Sequence, residues 1–434
     1  MTPTMIGILG VIFLLAVIFI LGMPVGLSMA LVGFCGFWYV VNFKAAINMV
    51  GMDVWTTFSS YGLTVIPLFV LLGYLAFQSG IAERLYNTAY KWFGHWRGGL
   101  AIATIGADEA FAAICGSNTA TAATMGAVAL PQMTKYKYDY RLSSGTIVTG
   151  GTLGTVMPPS VVLIVIGLQT EQSIIKLFLA GILPAILLGI LFIITIVIMC
   201  RIYPEFGPAG PKTGWNERIK SLTGIIEAVI IFLLVIGGLY VGFFTPTEAG
   251  AVGVFFMIIV ALVTRRLTWK GFLQSMTETL KISCFVFLLV TGAIIFGRFL
   301  AVTRIPFMIA DFAAGLSVHP YIILTFILII YLIGGCFMDS LGFLVLTIPI
   351  FFPLGISLGF DPIWYSIILT MVTTMGAITP PVGVNIYVVK ALRPDIPLST
   401  IFKSVSFFLT ACIVSIIILI IFPQIALVIP AMGP

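Results

Sequence analysis

The side chains in this sequence that can do chemistry are few and mostly uncharged. Ser117-Asn118-Thr119 lies inside the run AAICGSNTATAATMGAVALPQM, Ala112 to Met133. Asp339-Ser340 follows Gly335-Cys336-Phe337-Met338 in an equally apolar setting. Hydroxyl, amide and freed carbonyl oxygens are hard, neutral ligands that suit a small monovalent cation. With helix N-termini beside them they also suit a substrate carboxylate. Each polar stretch is followed by paired prolines, in GGTLGTVMPPS (150–160) and in GAITPPVGVN (376–385). Two successive prolines remove two backbone donors and free the carbonyls upstream, and the glycines permit non-helical turns. Helices unwound there would aim half-helix ends at the polar tips, the second break facing the second tip. The plainer alternative is small polar residues gluing helices together, with structural kinks beside them. Asp339 is costly in such a segment. It reads equally as partner to a cation or donor and as the cap of a half-helix.

These features recur at one offset. Pro131, Asp139, Gly154, Pro158 and Pro159 match Pro353, Asp361, Gly376, Pro380 and Pro381, each 222 residues later. The triplet Ser117-Asn118-Thr119 falls on Asp339-Ser340-Leu341, polar at two of three places. Proline is scarce inside helices, so matches at one spacing indicate an internal repeat of a broken apolar unit.

The 434 residues that must position these groups are 60% hydrophobic and only 8% charged. Mean hydropathy is +1.20. A soluble domain carries about 25% charged residues, so this composition indicates an all-α polytopic membrane protein. The net charge of +6 follows from cationic cytoplasmic loops and is no nucleic-acid footprint. The six cysteines show no metal or redox spacing. The first apolar segment lacks a basic n-region and a cleavage site and reads as a retained helix.

Apolar stretches near 5–23, 26–41, 63–79, 142–168, 174–200, 223–242, 249–264, 282–301, 362–389 and 405–430 give about ten transmembrane helices. The interrupted stretches 100–133 and 321–358 read as re-entrant hairpins. Lys and Arg concentrate in 80–99, 135–141, 201–222, 265–281 and 390–404, which places these loops in the cytoplasm. Loops 42–62, 302–320 and 359–361, and both termini, then face the periplasm. The first hairpin opens inward and the second outward, so the repeats, 1–205 and 223–434, are inverted. Residues 206–222 form the linker between them. The aromatic segment 86–99 reads as exposed and interfacial. Asp108 and Glu109 are expected at the cytoplasmic interface. Arg298 either pairs with a substrate carboxylate or, more in keeping with its place near a helix end, snorkels outward. No Walker loop, HExxH or nucleophile elbow is present, so an enzyme is not expected, and transport must draw on an ion gradient or another subunit.

Four runs carry a family resemblance: GFFTPTEAG at 242–250, GTLGTVMPPS at 151–160, IPLFVLLGYLAFQSGIAERL at 66–85 and GAITPPVGVN at 376–385. Together they resemble the large membrane subunit of TRAP (tripartite ATP-independent periplasmic) transporters, in the ion transporter superfamily. The resemblance covers nearly the whole chain. It implies sodium-coupled import of a small organic acid across the bacterial inner membrane, with two or more Na+ ions and no organic cofactor. It implies a small four-helix membrane subunit, a periplasmic substrate-binding protein and membrane lipid as partners, and an elevator motion of a transport domain against a scaffold. It places sodium at Ser117, Asn118, Gly154 and Pro158, and at Gly335, Asp339, Gly376, Thr379 and Gly383. Substrate would lie between the tips, at Ser117, Asn118, Thr119, Pro159, Ser340, Pro381 and Asn385. The Ser117-Asn118-Thr119 triplet also resembles the motif of divalent-anion:sodium symporters, which need no binding protein; GFFTPTEAG tips the balance to TRAP. Glu248 in that run faces a partner or, as Thr245-Pro246-Thr247-Glu248 suggests, closes a helix start.

Overall fold

The computed structural model describes residues 2–316 and 318–432, and among them it is all helix and turn, with no strand. Nine of these helices are long and apolar enough to cross a membrane, ten if Trp215–Gly224 and Ile226–Tyr240, bent by 44°, form one span. The chain is a multi-pass membrane protein.

The helices begin where side chains can satisfy their free amides. Ser117 caps Asn118–Lys135, Asp139 caps Tyr140–Gly150, and Ser160 caps Val161–Thr170. In the second half Asp339 caps Ser340–Ser357 and Asp361 caps Pro362–Gly376. The spacing of 222 seen in five residues extends to whole elements. Asn118–Lys135 maps residue for residue onto Ser340–Ser357, and Val161–Thr170 ends where Val384–Leu392 ends at that offset. Helices Val25–Val40, Ile81–Phe93 and Gly99–Cys115 recur, within a few residues, as Pro246–Val263, Ile305–Gly315 and Pro320–Phe337.

Several boundaries differ from the sequence expectation. The stretch 42–62 is not a plain loop: Asn42 caps a helix, Phe43–Phe58, by accepting from Ala45 N at 2.8 Å. The stretch 302–320 likewise holds Ile305–Gly315. The aromatic segment 86–99 is not an exposed arm. It continues the helix Ile81–Phe93, which buries Ile81, Leu85 and Tyr86 as it packs on Gly99–Cys115. The linker 206–222 includes a helix, Trp215–Ser221. The last expected span, 405–430, divides into Leu398–Ile421 and Gln424–Met432, parted by Pro423.

Burial locates the centre. The broken segment Tyr140–Thr170 is 94% buried, whereas Pro3–Leu21 is 22% buried and turns its apolar surface outward. The outer frame is held by backbone proximity. Helix Val25–Val40 lies so close to Trp269–Val302 that a Cβ on Gly292 would sit 2.0 Å from Gly26 O, and one on Gly33 2.8 Å from Phe296 Cα. Small residues allow such packing where apolar burial gives no preference between helix and lipid.

Gly292→Ala should therefore push backbone from backbone and destabilise the protein by about 1–3 kcal/mol. Gly51→Ala, with nothing within 4 Å of the new methyl, should be neutral or slightly stabilising. Thermal unfolding in detergent checks both; equal Tm values for the two variants would contradict this packing.

Candidate functional site

Helix Gly99–Cys115 stops at Gly116, whose φ is +62°. A Cβ there would lie 2.1 Å from Pro159 O, so the turn demands glycine twice over. Ser117 Oγ then accepts from Ala120 N at 3.5 Å, and Asn118 opens the next helix. The first break closes on this tip. Leu153–Val156 is a single turn, Pro158–Pro159 is a cis bond, and Ser160 Oγ donates to Thr155 O at 2.6 Å. Val161 N donates to Gly116 O at 3.3 Å, tying break and tip together.

Gly154 sits against the tip: a Cβ on it would meet Ser117 O at 2.6 Å and Thr121 Oγ1 at 2.7 Å. The hydroxyls of Thr121 and Thr155 are buried without a hydrogen-bond partner among the described residues. A carbonyl and orphaned hydroxyls around a glycine make a neutral oxygen cradle suited to a hard monovalent cation. No group of His, Cys, Asp and Glu able to hold a metal ion occurs among the described residues.

The second tip is built alike. Asp339 accepts from Leu341 N at 3.1 Å, so its carboxylate does cap the half-helix. Gly335 and Gly376 touch: a Cβ on Gly335 would be 3.1 Å from Gly376 Cα. Gly383, at φ +63°, donates to Cys336 O at 3.3 Å. Thr379 Oγ1 donates to Met375 O at 2.7 Å within its own segment. The two breaks differ in surroundings. Pro158 and Pro159 are buried, while Pro380 and Pro381, also cis, are exposed.

At the first tip one side chain joins the two halves. Asn385 Nδ2 donates to Asn118 Oδ1 and, at 3.0 Å, to Val148 O. Expected beside the second tip, Asn385 instead reaches the first, because its helix packs on Asn118–Lys135.

A cavity of 540 Å³ lies between the tips. Ser117, Asn118, Thr119, Asp339 and Ser340 line it on one side. Helices Val65–Gln78 and Trp269–Val302 complete it with Val70, Tyr74, Phe77, Ile282, Phe285 and Val286. Of the expected substrate residues, Pro159, Pro381 and Asn385 are not part of this wall. Pro159 and Asn385 are buried behind it and Pro381 is exposed.

Three charged residues have places the sequence did not reveal, and Glu248 has the one it suggested. Asp108 and Glu109 are not interfacial. Asp108 is fully buried, and the carboxyl oxygens of both are buried without hydrogen-bond partners among the described residues. Asp108 Oδ2 lies 1.9 Å from where a Cβ on Gly150 would be, and Glu109 Oε2 2.7 Å from that of Gly189. Arg298, with its side chain 62% exposed, pairs with buried Asp53 at 3.4 Å, not with open solvent alone. Glu248 closes a capping box: Thr245 N donates to Glu248 Oε2 at 2.8 Å, and Glu248 N to Thr245 Oγ1 at 3.4 Å. In the loop before the first broken helix, the hydrogen-bonded Arg141 guanidinium holds the Asp139 carboxyl below its ordinary range.

Many spanning helices around two polar hairpin tips that share one cavity define a membrane permease. The chain belongs to the TRAP transporter family, as its large membrane component: residues 12–425 match the model for "Tripartite ATP-independent periplasmic transporter, DctM component". It is 34% identical over 386 residues to the C4-dicarboxylate TRAP transporter large permease protein DctM of Pseudomonas aeruginosa, covering 89% of this chain and 90% of that protein. It is 31% identical to the sialic acid TRAP transporter large permease protein SiaM of Vibrio cholerae, covering 99% and 98%. The isethionate TRAP transporter permease protein DctMQ of Oleidesulfovibrio alaskensis is 32% identical over 87% of this chain and 59% of that protein. In fold the chain is similar to the crystal structure of the Alcanivorax borkumensis YdaH transporter, with a TM-score of 0.60 at 13% identity over 91% of each chain.

The contact between Asp108 and Gly150 gives a double-mutant test. Gly150→Ala should destabilise the protein by about 1–3 kcal/mol, and Asp108→Ala should remove most of that penalty when combined with it. Thermal melts of the wild type, both single variants and the double variant read the coupling. Additive shifts would show that the two residues do not touch.

Proposed function

We propose that this chain moves a small organic anion inward across the bacterial inner membrane, coupled to sodium. The observation that carries this is the shared cavity: Asn118 Nδ2, Thr155 Oγ1 and Ser340 Oγ belong to residues that line it, are buried, and lack partners among the described residues. Two half-helices, Asn118–Lys135 and Ser340–Ser357, begin there and bring partial positive charge. Substrate is held at Ser117, Asn118, Thr119 and Ser340. Sodium belongs in the cradle of Ser117, Thr121, Gly154 and Thr155, and in the second cluster around Gly335, Asp339, Gly376, Thr379 and Gly383.

The tips and breaks form the moving unit, and helices Val65–Gln78 and Trp269–Val302 the wall it moves against, an elevator of two inverted repeats. The recurrence of elements at an offset of 222 supports the repeats, and the basic loops support inversion with both termini periplasmic. A periplasmic binding protein delivers the anion, and a small four-helix subunit completes the permease. The isethionate relative carries Q as well as M in its name, which supports a small subunit as part of the permease. The Ser117-Asn118-Thr119 triplet favours a second reading, a stand-alone anion:sodium symporter.

Radiolabelled organic-acid uptake into proteoliposomes separates the two. The first reading requires an inward sodium gradient, the small subunit and the binding protein together; the second requires sodium alone. Asn118→Ala and Asp339→Ala should bring flux to background while the protein still folds and inserts. Wild-type flux from either variant would strike that residue from the site. Flux without sodium would overturn the coupling.

A further inference from the structure

The polar groups of the cavity gather at the two tips. Asn118 (8% exposed), Thr155 (1%) and Ser340 (2%) bring unpartnered groups to the tips. Away from the tips the wall is mostly hydrocarbon, with Val70, Phe77, Val162, Phe285 and Val286, and the hydroxyls of Tyr74 and Thr124 are the exceptions. Among the described residues no Lys, Arg or His lines it, and its one carboxyl, Asp339, is engaged in capping a helix. Its volume of 540 Å³ lies in the range of about 300–1,000 Å³ usual for small-molecule sites.

Such a wall concentrates its donors for an anionic group at the tips. A second carboxylate away from the tips would be desolvated with no cation, and only the Tyr74 and Thr124 hydroxyls, to meet it. The hydroxyls of a polyol body would stay unpaired against the aromatic and aliphatic side chains. We infer that the substrate is a monocarboxylate with an apolar body, an aryl- or branched alkyl-substituted acid. Its carboxylate sits at the tips and its body lies against Phe77 and Phe285. This deepens the transport reading above and rests on it. It also sets this chain apart from the relatives named for C4-dicarboxylates and sialic acid.

The experiment is calorimetric binding to the purified chain in detergent, in sodium and in choline, with phenylacetate, 4-methylvalerate, succinate and gluconate as probes. In sodium, the two apolar monocarboxylates should bind at least about tenfold tighter than succinate or gluconate, since even one apolar group is worth about tenfold or more in a matched pocket. Phe77→Ser should weaken phenylacetate by about tenfold or more. Phe285→Lys, at a position 45% exposed, should strengthen succinate relative to phenylacetate, a gain that misfolding cannot produce. Succinate or gluconate binding as tightly as the apolar acids, with sodium dependence intact, would overturn this inference and leave the transport reading standing. No sodium-dependent binding of any organic acid would overturn both.

Discussion

Backbone that leaves the helix inside a bilayer has no water to turn to, so each freed carbonyl and amide must find protein. The architecture here follows from that constraint. The first break, with its two prolines, is closed by Val161 N on Gly116 O, and the tip's glycine is pressed onto Pro159 O. Val148 O, near the end of the helix before the break, is reached by Asn385 from the other half of the chain. The same amide holds Asn118 at the tip. One amide thus satisfies a backbone carbonyl 237 residues away and a side chain 267 residues away, in the other half of the chain. Losing such a donor leaves a buried carbonyl unpaired, at a cost of about 1–3 kcal/mol.

The two breaks are alike in sequence and unlike in surroundings. Pro158 and Pro159 are sealed inside, while Pro380 and Pro381 face outward. In the proposed transport, such a difference between the repeats would present the cavity to one side at a time. Of the helices that complete the cavity, Trp269–Val302 is fixed to Val25–Val40 by glycine contacts, while Gly73 of Val65–Gln78 abuts Cys115 beside the first tip; the tips are fixed to their own breaks by hydrogen bonds.

Much of this was legible because helix breakers punctuate an apolar chain. Proline, glycine and the capping Asp139 and Asp361 recur at one spacing, and the elements between them follow. The helix Phe43–Phe58 was missed because Asn48, Asp53, Thr56 and Thr57 lower its hydropathy below that of a span. Asp108 and Glu109 read as interfacial because acids usually are. Their burial depends on room left by Gly150 and Gly189, which no local pattern announces. The partner of Arg298 lies 245 residues away, inside the missed helix. The tips were readable from their polar residues, but the wall from Val70 to Phe77 and from Ile282 to Val286 was not, since it reads as ordinary membrane helix.

The proposed coupling places sodium and anion on the two faces of the same tips, so each should stabilise the arrangement the other needs. Such coupling is reciprocal by thermodynamic necessity. The most direct measurement is the affinity of the purified chain for its anion across a wide range of sodium, with choline holding ionic strength constant, together with sodium affinity with and without anion. The account predicts that anion affinity rises with sodium and that sodium affinity rises by the same factor with anion. Anion affinity that stays constant across the sodium range would contradict it.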